Sequence, residues 1–357
     1  MGNKHNKSSN SSSSKEPKVC VQSKVNLQKS NFEMVQIVGK GGFGKVWKVV
    51  HKKYKTLFAL KEMNKAKIID KQSESSVITE RELLSQLRHP FIVNMYYAFQ
   101  DNNNLYLIMD LLTGGDMRYH ISSMNKYKKK FTEEQAKFFV ACIVLALDYT
   151  HSNNILHRDL KPENFVFDNK GYLRLTDYGI ARVYQKDNYT DTSGTPGYMA
   201  PEVLCCQNHT IAVDYFALGV FTFELMFGYR PYNGKSRSEL KEKILSKQVQ
   251  IKSTDIPKDW TVEAADFINR LLQRKPKNRL GLRGSIEIRE HAWLKYYPWK
   301  DLYNKTLESP FKIVSSEPWD NNYVNNPDNL GIDTKIRYEN IRMMDEYKTI
   351  FENYYFF

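Results

Sequence analysis

His157-Arg158-Asp159-Leu160-Lys161-Pro162-Glu163-Asn164 decides how this 357-residue chain is read. The stretch follows an amphipathic segment and precedes a hydrophobic run, so it forms a loop between a helix and a strand. Its residue types and spacing suit phosphoryl transfer. Asp159 can accept the proton of a substrate hydroxyl, Lys161 can neutralise charge on the moving phosphoryl group, and Asn164 can hold a metal ion against a nucleotide. A lone His-Arg-Asp tripeptide reads equally well as a polar turn with a helix-capping Asp. Eight residues in register, echoed by the rest of the chain, read only one way.

Upstream, Phe32–Val38 alternates like a strand and runs into Gly39-Lys40-Gly41-Gly42-Phe43-Gly44-Lys45-Val46. Gly39, Gly41 and Gly44 make G-x-G-x-x-G, whose backbone can approach phosphate oxygens and adopt positive φ. A dinucleotide-binding turn has the same glycines, but it needs a helix at the third one. Here Lys45–Val50 is β-prone, which favours a hairpin clamped over phosphates. Phe58-Ala59-Leu60-Lys61 forms a third strand. A Lys in an apolar strand is costly to bury unless it is paired. Glu80 is the expected partner, because Leu84 and Leu87 share its helical stripe; Glu82 competes with it. Lys61 would then touch the α- and β-phosphates.

Downstream, Leu173-Arg174-Leu175-Thr176 leads into Asp177-Tyr178-Gly179, where Asp177 would bind Mg²⁺. Gly194-Thr195-Pro196-Gly197-Tyr198-Met199-Ala200-Pro201-Glu202 closes a segment of activation-loop length.

With these motifs in order, the chain resembles a eukaryotic protein kinase from about Phe32 to about Trp293. Lys161 and Thr195 resemble the serine/threonine class. His89-Pro90-Phe91-Ile92-Val93, Met109 to Asp116 and Ala212 to Val220 resemble the AGC group, and the run Asp110 to His120 is most similar to its YANK subgroup. The resemblance implies an α+β, bilobal kinase fold. Residues 32–109 would form a five-stranded N-lobe with one key helix, and 113–293 a helical C-lobe. Residues 1–31 would be a basic Ser/Asn/Lys-rich tail and 294–357 an AGC-like extension. ATP and Mg²⁺ are the implied cofactors. ATP would lie against Gly39, Lys40, Gly41, Gly42, Phe43, Gly44, Val46, Ala59, Lys61, the gatekeeper Met109, the hinge from Asp110 to Leu112, and Asp116. Asp214 would hold the catalytic-loop backbone, and Glu202 would pair with Arg279. Asp116, Glu163 and Glu224 match positions that hold substrate arginines, implying basic residues before the target. Thr195, Pro196 and Met199 resemble a peptide-binding surface. Protein substrates follow.

The chain departs from the family pattern in two places. Tyr178 replaces the Phe of Asp-Phe-Gly, so its hydroxyl needs a partner. Counting three residues back from Gly194 reaches Asp191, where AGC kinases carry a phosphothreonine. A fixed carboxylate there could answer Arg158 without phosphorylation. Thr190 and Thr192 flank it, and a one-residue slip making either the phosphosite stays open. The C-terminal Phe351-Glu352-Asn353-Tyr354-Tyr355-Phe356-Phe357 resembles a docking Phe-x-x-Phe with Tyr355 at the usual phosphosite. Ser309-Pro310-Phe311 resembles the start of an AGC extension.

Bulk properties set the remaining bounds. A hydrophobic content of 41% is ordinary for a globular protein. No apolar run of about 18 residues occurs, so no membrane span is expected. Cys20, Cys142, Cys205 and Cys206 show neither zinc spacing nor a disulfide framework, and the adjacent pair reads as packing residues in a reducing cytosol. The net charge of +13 gathers in two places. Lys4, Lys7, Lys15, Lys18, Lys24 and Lys29 lie near the N-terminus; Lys126, Lys128, Lys129 and Lys130 form a second cluster. No nucleic-acid module accompanies them. Gly2 fits an N-myristoylation site, although Asn6 stands where the motif takes Ser or Thr. Were Gly2 acylated, the lysines would supply the second signal for an anionic membrane. A cytoplasmic monomer is the expected setting. Two rival functions remain: a catalytically weak scaffold, which the full set of motifs opposes, and a small-molecule kinase.

Overall fold

A computed structural model describes residues 27–313 and 349–357. Gly2 and the lysines from Lys4 to Lys24 lie outside the described residues. The N-lobe contains β1 (Phe32–Lys40), β2 (Gly44–His51), β3 (Leu57–Asn64), α1 (Lys65–Asp70), α2 (Glu74–Gln86), β4 (Met95–Gln100) and β5 (Asn104–Met109). The strands form one antiparallel sheet in the order β1-β2-β3-β5-β4. Side chains alternate between its faces. Val49 and Leu60 turn outward into a small core with Phe32, Phe99, Tyr106 and Ile108. Val46 pairs with Lys61 and Ala59 with Met109, and these four line the interlobe cleft.

Asn94 and Asp110 lie just outside β4 and β5. Their side chains are committed elsewhere: the Asp110 carboxylate accepts from Asn94 N–H and Nδ2, both at 2.9 Å.

The C-lobe follows as α3 (Met117–Lys126), α4 (Glu133–Ser152), β6 (Ile155–Leu156), β7 (Phe165–Phe167), β8 (Leu173–Leu175), β9 (Arg182–Val183), α5 (Pro201–Leu204), α6 (Ala212–Phe227), α7 (Arg237–Ser246), α8 (Val262–Leu271), α9 (Ser285–Glu290) and α10 (Trp299–Tyr303). A reciprocal capping box opens α4: Gln135 N–H donates to Thr132 Oγ1 at 3.2 Å, and Thr132 N–H to Gln135 Oε1 at 3.1 Å. Both α4 and α6 are buried over most of their length, so the C-lobe is built around them. Each fully buried Leu, Phe or Met there contributes about 1.5–3 kcal/mol. The Arg279 guanidinium meets both Glu202 oxygens, at 2.6 and 2.9 Å, and both side chains are buried. Cys205 and Cys206 do not pack as expected. They follow the end of α5 in a turn, with Cys206 at φ 53°, and are exposed.

Two tail segments return to the lobes. Phe311 packs among the rings of His120, Phe131, Phe139 and Phe167. Its carbonyl passes so close to Gly171 that a Cβ there would lie 2.4 Å from it, which explains the glycine. At the C-terminus, Phe356 and Ala98 exchange two backbone hydrogen bonds, of 2.8 and 2.9 Å, covering the free edge of β4. Phe351 and Tyr354 are buried, and the Arg81 guanidinium lies over the Tyr354 ring. Phe357 is half exposed and stacks on Tyr355.

Candidate active site

The lobes enclose a cleft of about 760 Å³. Its walls include Gly39, Lys40, Gly41, Val46, Ala59, Lys61, Met109, Asp110, Leu112, Asp116, Asn164 and Asp177. Gly42, Phe43 and Gly44, expected against ATP, lie beyond the lining. Phe43 instead meets Lys71, just past the end of α1, whose Nζ stands 5.5 Å from its ring centroid. Gly44 answers a different need: a Cβ there would lie 1.9 Å from the Glu62 carbonyl, so this glycine lets β2 approach β3. None of these four glycines adopts positive φ.

Lys61 Nζ bonds Glu80 Oε1 at 2.6 Å. Burial disfavours the ammonium, but Glu80 and Asp177 outweigh it and hold the Lys61 pKa above its ordinary value. Glu82, the competitor, is exposed, with its nearest cation among the described residues Arg81, 3.9 Å away. Asp177 sits at φ 64°, a conformation rare outside glycine. Burial opposes its charge, yet Lys61 and the Gly179 N–H hold its carboxyl below the usual range.

The catalytic-loop residues converge. Asp159 Oδ2 accepts from Lys161 Nζ at 2.7 Å, and its Oδ1 from Thr195 Oγ1 at 2.6 Å. Lys161 Nζ also reaches Thr195 Oγ1 at 2.9 Å. Asn164 Nδ2 donates to the Asp159 carbonyl at 2.8 Å, which turns its amide oxygen away. That oxygen and the Asp177 carboxylate are hard donors of the kind Mg²⁺ takes. The loop backbone is fixed from below by Asp214, whose carboxylate accepts from His157 N–H at 3.0 Å and Arg158 N–H at 2.8 Å. Tyr178 is buried, packs edge-on to His157, and shares a 2.9 Å hydroxyl hydrogen bond with Thr150.

The hinge is anchored by Asp110, whose carboxylate also takes the Tyr96 hydroxyl at 2.8 Å and the Arg174 guanidinium. Asp116 caps α3, accepting from Tyr119 N–H at 2.8 Å. Arg158, at φ 67°, gives Nε and Nη2 to the Ile180 carbonyl at 3.0 and 2.6 Å. Its Nη1 lies 3.1 Å from Asp191 Oδ2. Thr190 and Thr192 are exposed. Thr195 and Pro196 are half-buried and Met199 is buried.

Arg118 went unremarked in the sequence, and it alters the substrate side. Its Nε donates to Glu163 Oε1 at 2.9 Å, its Nη1 to Glu224 Oε1 at 2.7 Å, and its Nη2 to the Tyr198 hydroxyl at 2.6 Å. The pair Glu163 and Glu224, expected to await a substrate arginine, already holds one from this chain. A residue between two assigned carboxylates is invisible in sequence when 45 and 106 positions separate it from them.

Comparison with known proteins adds a kinship to this geometry. The protein kinase domain family matches residues 32–294. A Dictyostelium discoideum protein named "Probable serine/threonine-protein kinase" is 40% identical over 295 residues, covering 82% of this chain and 62% of that protein. The cAMP-dependent protein kinase catalytic subunit of the same organism is 36% identical over 282 residues, 78% of this chain and 42% of that one. Human serine/threonine-protein kinase Sgk1 is 36% identical over 295 residues, 82% of this chain and 66% of that one. The chain thus spans between 42% and 66% of these relatives' lengths.

Proposed function

Since the chain belongs to the protein kinase domain family, we propose that it transfers the γ-phosphoryl group of ATP to serine or threonine hydroxyls of protein substrates. The carrying observation is the Asp159 carboxylate, tied at once to Lys161 and to Thr195, with Lys61, Glu80 and Asp177 gathered across the cleft. Asp159 can take the hydroxyl proton as the bond to phosphorus forms. Lys61 orients the phosphates, and Lys161 offsets charge on the group in flight. Magnesium, when bound, would neutralise phosphate oxygens, and Asp177 with the Asn164 amide oxygen would hold it. Met109, Ala59, Val46 and Leu112 offer the apolar walls that a purine needs.

The finer kinship with the YANK subgroup rests on the run Asp110 to His120. Working as a cytoplasmic monomer, with an acylated Gly2 and the N-terminal lysines drawing it to anionic membrane, belongs to the same reading. A silent scaffold fits less well, because it has no use for the paired Lys61 and the engaged Asp159.

The test is transfer of labelled phosphate from Mg·ATP to a mixed peptide library, with Asp159→Asn alongside. Label on Ser and Thr peptides that disappears in the variant is expected. No transfer from folded wild-type protein, or equal transfer by the variant, would overturn the reading.

A further inference from the structure

Arg118 spends every nitrogen of its guanidinium on groups that border the hydroxyl acceptor. Glu163 lies four residues after Asp159 in the same loop, and Tyr198 belongs to the segment whose Thr195 bonds Asp159 directly. Glu224 reaches in from α6 with its side chain only 5% exposed. One Glu224 oxygen takes Arg118 Nη1, and the other takes the Tyr198 hydroxyl at 2.5 Å. Tyr198 in turn accepts from Arg118 Nη2, so the ring of donors and acceptors is closed.

We propose that Arg118 is a built-in occupant of the arginine-recognition pocket and thereby a specificity-determining residue. Given the kinase reading, the enzyme accepts peptides with a neutral side chain facing this pocket as readily as those with arginine. An incoming guanidinium would meet a cation already in place. It could gain Glu224 only by displacing Arg118, an exchange of one guanidinium for another with no net hydrogen bond. The second Glu163 oxygen remains, but that side chain is 44% exposed, where ion pairs contribute little. Substrates of this chain therefore need no arginine at the position facing the cluster, and basic selectivity there is latent.

Removing Arg118 should unmask it. The Glu224 carboxylate would be left nearly buried and uncompensated. A substrate arginine is the group of matching charge and planar shape.

The experiment scans one Arg through the five positions before the target Ser of an alanine-based peptide, comparing kcat/KM for Arg over Ala. In wild-type protein the ratio at the responding position should stay within about threefold of one. Arg118→Ala should raise it about tenfold or more, the scale of one charge-assisted hydrogen bond. Adding Glu224→Gln to Arg118→Ala should bring it back. If Arg118→Ala melts below assay temperature, Arg118→Met keeps the aliphatic stem and must show the same gain. A wild-type enzyme that already selects Arg there as strongly as the variants, or variants that gain Arg selectivity at no position, would overturn the proposal. Asp159-dependent transfer to the parent alanine peptide reports on the kinase reading separately. Its absence in folded wild-type protein removes both readings, while its presence without a shift in ratio removes only this one.

Discussion

Asp159 and Arg158 are neighbours in one loop, yet they face regions held with different firmness. Asp159 looks into the cleft, where both carboxylate oxygens are taken by Thr195 and Lys161 within 2.7 Å. Arg158 looks the other way. Its side chain is 3% exposed, but the Asp191 carboxylate it meets is 40% exposed and sits on a loop. Charges in the first region are largely shielded from water; in the second, one partner is not. The chemical groups are thus preorganised, and the activation segment is tethered by a contact that salt or substitution can loosen.

Breaking the firm side should have the largest effect. Asp159→Asn removes the proton acceptor and should lower kcat about 10²–10⁴-fold. Lys61→Met should cripple transfer comparably while the fold survives, since Lys61 positions phosphates rather than filling the core. Steady-state kinetics on purified protein, with the melting temperature as a fold control, checks both. Near-wild-type kcat in either variant would end the role assignment.

The two regions also differ in how far they could be read beforehand. The loop, the Lys61–Glu80 pair and the Glu202–Arg279 pair were legible because each rests on a local pattern or a recognisable motif. The Arg158–Asp191 approach followed from counting back from Gly194. Three things escaped. Arg118 and Arg174 act across the fold, and nothing in their neighbours announces a partner 45 to 106 residues away. Gly44 looked like a phosphate contact, but its reason is the Glu62 carbonyl, set by how closely β2 and β3 pack. Cys205 and Cys206 looked apolar enough to bury, yet α5 stops one residue earlier and the turn carries them into solvent.

Acid should distinguish the framework from both regions. Burial pushes the His89 imidazole down to about 4, where it stacks on Tyr149 and accepts from the Phe91 N–H. Its folded pKa is below its unfolded value, so the unfolded chain binds the proton more tightly between pH 6.5 and about 4. Stability therefore falls as pH drops through that window and is restored above it. The linked loss is about 2–3 kcal/mol. Asp177 and Asp214 are both held below the usual carboxylate range, so their protonation comes at lower pH than an ordinary carboxylate's. Thermal melts from pH 7.5 to 4.5 should show the decline, and His89→Asn, which still offers an acceptor, should make it shallower; His120, His157 and His291, also held below their ordinary values, carry the rest. Parallel slopes for the two proteins would remove His89 from the account.

The smallest effect is expected at the loose side, and it decides whether that looseness is a form of control. A phosphate carries about −1.5 to −2 charge and three acceptor oxygens, where the Asp191 carboxylate carries −1 and two. It can order the segment only in part, so unphosphorylated protein should retain basal activity. Asp191→Ala should lose about threefold to tenfold in kcat/KM, the value of one partly exposed ion pair to a buried guanidinium. Asp191→Glu keeps the charge on a longer stem and should fall between. Raising salt from about 0.1 to 1 M shortens the screening length from about 10 to 3 Å, so wild-type activity should drift toward that of Asp191→Ala. Phosphatase treatment separates this from control by a neighbouring threonine. Thr190→Ala and Thr192→Ala should match the treated wild type, because both side chains point to solvent and neither is the partner of Arg158. If the treated enzyme is inactive, either threonine variant equally so, and Asp191→Ala normal, then the acid is incidental and the loose contact awaits a phosphate.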